Sequence, residues 1–342
     1  MPEPKFNALL RRQLKKLSKL RFFGPSLRRS VAKLLDVFNS WWKIILFLLI
    51  ALLFLYYPIG AALIHNIDTT TDYEIQTPPE QSATVEMTAF LLNREINQKM
   101  WTPNLPFFFP SSFLDNMPAF QLGMVSALNN VTASLSRNWS KTIADNDNQH
   151  LLEASRLLKY DGTIWMFAPG NSLVPVPSAA SQYRRARKEL IKFNQDLLDG
   201  TIPFYKTPQD LALILERISS SLERGTNRLE AQIREHSSDF YDLQADNMFY
   251  YYQGRAYGYY LLLKALGHDY KDIVVARDQY KNWTTMLHNL ENAVTLNPLI
   301  IRNGEPNSLS APNHLNTLAF HMLKASVQAS AISQKLKEKG QP

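Results

Sequence analysis

Asp239, Asp242 and Asp246 fall at i, i+3 and i+7, a spacing that puts three carboxylates on one helix face. Paired carboxylates do general acid–base work when their surroundings push their pKa values apart. With Arg234 and Arg255 nearby, the same stripe also reads as an ion-paired, solvated face, and that is the reading we adopt. His314 and His321, seven apart, would share a helical face, but HExxH and tight His–carboxylate ligand spacing are both missing. Asp145-x-Asp147 opens like a calcium loop and then fails, with His150 at the sixth position and Arg156 at the twelfth. Ser30-Val31-Ala32-Lys33 lacks the companion motifs of acyl-transferring Ser-x-x-Lys enzymes. The Gly-rich phosphate loops and G-x-S-x-G are absent. With no cysteine there is no thiolate chemistry, disulfide or zinc finger. No cofactor is therefore expected. The three aspartates and two histidines remain as catalytic and metal candidates.

The elements that position these groups are better marked. Ile44 to Ile64 reads IILFLLIALLFLYYPIGAALI, charge-free and, as a helix, long enough for the roughly 30 Å hydrocarbon core of a bilayer. Trp41, Trp42 and Lys43 precede it in the manner of an interfacial belt. Eleven Lys/Arg lie in residues 1–43 against Glu3 and Asp36, which leaves the other 299 residues with 26 of the 37 basic and 28 of the 30 acidic groups. The positive charge is thus a local arm, and no nucleic-acid partner is expected. Residues 65–84 hold no Lys or Arg, so the positive-inside rule places the arm in the cytoplasm and the rest outside. Within the arm, Phe6, Leu9, Leu10, Leu14, Leu17 and Leu20 share one face, with Lys15, Lys16 and Lys19 opposite, a pattern suited to an anionic membrane surface. A second apolar stripe, Leu27, Val31, Leu34, Leu35 and Phe38, follows Gly24-Pro25.

Glycine is scarce, 12 in 342, and the pattern beyond residue 84 is helical. Periodicity predicts helices near 85–100, 113–140, 149–160, 180–198, 208–236, 240–266, 270–295 and 312–337. The expected fold class is all-α, one N-terminal transmembrane helix followed by a multi-helix, bundle-like extracytoplasmic domain. The expected segments are a basic arm over 1–43, a span over 44–64, a polar tether over 65–84, a helical domain over 85–337 with a subdomain break near 200–208, and a tail over 338–342. Leu211, Leu215, Ile218, Leu222, Leu229 and Ile233 approach a heptad, which we read as a bundle helix. The run Phe249-Tyr250-Tyr251-Tyr252 with Gly254 and Gly258 reads as a crowded helix crossing, with a sugar or peptide groove as the alternative. Phe107, Phe108 and Phe109 sit between prolines; we read them as a lid on the core, the other reading being an exposed contact loop for lipid or protein.

Tyr250-Tyr251-Tyr252-Gln253-Gly254-Arg255-Ala256-Tyr257-Gly258 through Gly267, and Pro312-Asn313-His314-Leu315 through Met322, carry a resemblance to an uncharacterised proteobacterial family of single-pass inner-membrane proteins. That resemblance implies an envelope location and brings no activity or site residues. The function expected is that of a non-catalytic envelope protein, anchored in the lipid bilayer of the bacterial inner membrane, whose periplasmic domain binds a protein partner or envelope component. The alternatives are a carboxylate-dependent envelope hydrolase and a membrane-surface sensor acting through the arm.

Overall fold

Proline at a first helical position costs no hydrogen bond, and Pro25 opens a single helix, α1 (Pro25–Ile64), in a computed structural model of the chain. The structure describes residues 25–139, 149–167, 174–236, 243–298, 301–303 and 313–338. The stripe from Leu27 and the apolar run thus belong to one helix of 40 residues, roughly 60 Å at the usual rise. Ile44–Ile64 is the only stretch among the described residues long and apolar enough to cross a membrane, and none of it is buried.

Clustering divides the chain into Met1–Ile59 and a second unit, Gly60–Pro342. The second unit is all-α: among the described residues no strand forms, only a bridge between Asn303 and Asn313. Its helices are α2 (Ala83–Asn93), α3 (Asn116–Trp139), α4 (Gln149–Leu158), α5 (Ala179–Leu198), α6 (Pro208–His236), α7 (Leu243–Asp269), α8 (Lys271–Ala276), α9 (Tyr280–Val294) and α10 (His314–Lys337). Local chemistry starts several of them. Ser82, Ser178 and Asn313 each accept the N–H three residues on, and Thr207 does so for Asp210 ahead of Pro208. The helix expected over 270–295 is two, because Asp278 takes a left-handed conformation (φ 52°) that a short polar side chain tolerates.

α7 is the centre, touching α2, α3 and α9. Tyr257 and Tyr259 are fully buried there and pack the crossing, while Tyr251 and Tyr252 line a hollow of about 590 Å³. Glycines let α3 and α7 approach backbone to backbone. A Cβ on Gly254 would overlap the Phe120 carbonyl, one on Gly123 the Tyr251 carbonyl, and one on Gly258 would sit 2.8 Å from Ala127 Cβ. α6 and α10 form an antiparallel pair held by small residues at seven-residue steps. Ser333 Oγ donates to Ala212 O at 2.9 Å, Ser219 Oγ to Ser326 O at 2.9 Å, and Thr226 Oγ1 to Ala319 O at 3.5 Å. Residues 65–82 are extended but packed: Ile67, Tyr73 and Ile75 lie on the core.

The α3–α7 crossing leaves no room for a methyl group. Gly254→Ala in the full chain in detergent should lose about 1–3 kcal/mol of stability, the usual cost of overpacking. Urea unfolding followed by circular dichroism checks this, and unchanged stability would show that the helices do not meet there.

Candidate functional site

α2 runs on into a π-helical turn, Arg94–Gln98, a geometry that often accompanies functional sites. It carries an adjacent charged pair into the core: Arg94 is 3% exposed and Glu95 1%. Arg94 Nε donates to Glu95 Oε1 at 2.7 Å, and Nη1 donates to Tyr257 OH at 2.5 Å and to Asp68 Oδ2 at 3.4 Å. Its guanidinium lies 5.5 Å from the Tyr73 ring centre and 5.1 Å from that of Tyr257. Gln121 Nε2 donates to the second Glu95 oxygen at 3.0 Å. Lys99 lies 3.4 Å from Glu95 and donates to Asn66 O at 3.1 Å. Tyr257 OH donates onward to Thr70 O at 2.9 Å. Asn66, Asp68 and Thr70 lie a few residues after Ile64, so this network grips the chain where it leaves α1.

The electrostatics favour the charged forms. Burial would raise the Asp68 carboxyl, but hydrogen bonds from Thr70 and Tyr73 and the Arg94 charge outweigh it and hold the group at about 2. Burial opposes the Arg94 charge, yet Tyr257, Glu95 and Asp68 keep it firmly protonated. Burial pushes the Tyr257 phenol up, so it stays neutral and donates. Lys99 is lowered by burial and by the nearby Arg94. Each buried charge thus has an opposite or hydrogen-bonded partner, which suits a clamp more than a proton-transfer centre.

A second polar knot lies at the other end of α2. Asp269 accepts from Ser82 Oγ at 2.8 Å, Ala83 N at 2.8 Å, Thr84 N at 3.1 Å and Thr84 Oγ1 at 2.7 Å. A carboxylate from the end of α7 therefore caps α2. Burial pushes Asp269 up against the pull of those four donors. The two knots are roughly 20 Å apart along α2.

Beside the exit of α1 is a hollow of about 610 Å³, floored by Leu63, Ile64, Trp101 and Trp165 and rimmed by Lys99 and Arg184. Trp101 Nε1 donates to Gly162 O at 2.9 Å and Asn104 Nδ2 to Ile164 O at 2.9 Å, tying the Phe107–Phe109 loop to the one carrying Trp165. The phenylalanines do not form a lid. Phe107 is 80% exposed and Phe108 47%, with Phe109 partly buried. Pro110, buried at the end of the loop, takes the place against the body of the domain.

Of the other sequence candidates, Asp239, Asp242, Lys15, Lys16 and Lys19 lie outside the described residues. Asp246 is half-buried and pairs with Asp115: the Asn116 amide donates to Asp246 at 2.9 Å and to Asp115 at 3.2 Å. Burial and the Asp115 charge raise the Asp246 carboxyl. His314 Nδ1 accepts the Arg302 N–H at 3.1 Å, a structural bond. Burial lowers both His314 and His321. Among the described residues no group of three metal-ligating side chains converges. Trp41 is exposed and Trp42 partly so. Sequence reasoning missed Arg94 and Glu95; the visible signal was an Arg-Glu pair one residue after the apolar Phe90-Leu91-Leu92.

The fold defines an all-α domain preceded by one long apolar helix, a class without a built-in chemistry. Residues 102–241 match the family model described as an uncharacterized protein conserved in bacteria (DUF2333), a likeness over that stretch. The match lies before both of the stretches, 250–267 and 312–322, that carried the resemblance in the sequence. No curated protein and no solved structure matches the chain.

Glu95→Ala should cost about 3–5 kcal/mol, because it leaves the Arg94 charge buried without its closest carboxylate. Asp68 is depressed from 3.8 to about 2, so its contribution to stability is complete above the unfolded value and disappears as pH falls through the folded one. Asp68→Asn should therefore flatten the stability curve between about pH 4 and pH 2, as acid titration at fixed urea would record.

Proposed function

We propose that the chain is a single-pass protein of the bacterial inner membrane, with a cytoplasmic basic arm and a periplasmic helical domain that binds a protein partner or envelope component. The observation that carries this reading is the charge-free run Ile44–Ile64, with none of its residues buried against protein. A core helix of a water-soluble protein would bury such a face, since large exposed apolar surfaces need a partner. The eleven cations before it and the absence of Lys or Arg over 65–84 support the orientation. The clamp around Arg94 ties residues 66–70 to the helical domain. A binding role fits an interior whose polar groups serve caps and helix pairs.

For the hydrolase alternative, the carboxylate that the described residues place beside Asp246 is Asp115. The raised pKa of Asp246 means that folding disfavours the charge, so the ionised group costs stability above its unfolded value. Asp246→Asn should raise stability at pH 7 and give no gain near pH 3, measured by urea unfolding; loss of function with no loss of partner binding would favour the enzyme.

A phosphatase reporter active only outside the cytoplasm, fused after Pro342, should be active, and alkali washing should leave the protein in the membrane pellet. A silent fusion would overturn the orientation; release by alkali would overturn the anchor.

A further inference from the structure

Two stretches beside the exit of α1, of which the structure describes 100–114, 162–167 and 174–178, are free of charge: they contain no Asp, Glu, Lys or Arg. They also meet. The Phe108 ring lies 5.9 Å from Trp165 and 5.2 Å from Phe109, so the loops form one aromatic surface. Phe107, Phe108, Met166 and Phe167 are exposed on it. Pro110 packs so closely on Gly60 that a Cβ there would overlap its ring. Gly60 is one helical turn before Ile64, the last residue of the apolar run, so the loops lie beside the final turn of α1.

We propose that these two loops form an apron that rests in the outer interface of the same bilayer that α1 crosses, so the domain touches lipid at a second place. This rests on the anchor reading above. The occupant follows from three observations. The surface is continuous with the last turn of an apolar helix, and whatever surrounds Gly60 surrounds Pro110. Aromatic side chains are the ones enriched where lipid meets water. Lys99 and Arg184 line the same hollow as Trp165, and cations of this kind attract phosphate headgroups.

The backbone of the apron is suited to poor solvation. In lipid an unsatisfied N–H or C=O is costly. Pro103, Pro106 and Pro110 remove three donors from the loop. Phe109 N donates to Pro106 O at 2.9 Å, and Ser112 Oγ donates to Phe107 O at 3.0 Å and Phe109 O at 2.7 Å. Val176 N donates to Met166 O at 2.8 Å across the second loop. The Phe109 N–H and the Phe107, Phe109 and Met166 carbonyls are thus satisfied within the chain itself.

The chain has no cysteine, so one introduced thiol reports one position. Nitroxide labels would be placed singly at Phe107→Cys, Phe167→Cys, Phe54→Cys and Val275→Cys in the full chain. The proteins are reconstituted into vesicles of phosphatidylethanolamine and phosphatidylglycerol, and collisions with oxygen and with a water-soluble nickel complex are compared. Val275, exposed on α8 just after the Asp269 knot, is the control for water, and Phe54, exposed within the apolar run, is the control for lipid. The labels at 107 and 167 are expected to read about 5–10 Å below the headgroup–acyl boundary. Adding Phe108→Asp should return the 107 label to water with the circular dichroism unchanged. If 107 and 167 behave like 275 while 54 stays in lipid, the apron is refuted and the anchor stands. If 54 also reads water, the anchor reading itself fails. Labels shielded from both reagents would mean that protein covers the apron, and a 107 label unmoved by Phe108→Asp would mean that the nitroxide alone seeks lipid; either overturns the proposal.

Discussion

A guanidinium cannot be buried without compensation, and Arg94 obtains it from groups that come from three parts of the chain. Asp68 belongs to the strap after α1, Glu95 to the π-turn, Tyr257 to the middle of α7, and Tyr73 covers the ring side. Removing any one leaves a charge in a medium that solvates it poorly. The strap, α2 and α7 are therefore fixed to one another by a single electrostatic requirement. Hydrophobic contact from Ile67, Tyr73 and Ile75 then has a defined register in which to act. An apolar contact alone could slide, because dispersion has no preferred partner; the hydrogen-bonded charge cannot.

The rest of the packing uses a different device, the omission of side chains. α3 and α7 meet where Gly123, Gly254 and Gly258 remove Cβ atoms, and α6 and α10 meet where Ser, Thr and Ala recur every seven residues. Close approach brings many atoms into contact and lets hydroxyls reach the facing carbonyls, so polar residues fill the seam without being left unsatisfied. Gly225 follows the same logic, since a Cβ there would lie 2.8 Å from Met322 Cε and 2.9 Å from Tyr252 Cε1. A chain with only 12 glycines has placed several of them at these crossings.

Helix positions were legible because period and caps are local. The window predicted at 208–236 matches α6 to the residue, and 180–198 differs from α5 by one. The split at Asp278 was not legible: a single left-handed residue leaves the apolar period on either side intact. The heptad in α6 was visible, but its partner was not, since Ser219 and Ser326 are 107 residues apart. The clamp was hidden for the same reason. Arg94 and Tyr257 are separated by 163 residues, and nothing local marks one as the other's acceptor. Asp115 was not legible as a neighbour of Asp246, because helical spacing points from Asp246 along its own helix, while Asp115, whose charge raises it, lies just before α3.

The two polar knots on α2 respond to acid with opposite signs, and this follows from how each carboxylate is housed. Asp68 is partly open, shares its proton-binding oxygens with a cation, and is depressed, so protonation works against the fold. Asp269 is deeply buried with only neutral donors and is raised, so the folded state takes up a proton more readily than the unfolded chain does. Acid therefore loosens the end of α2 next to the exit of α1 before it disturbs the capped end. The weak point of the domain in acid lies at the strap, where Arg94 would lose its Asp68 partner and keep Glu95 alone.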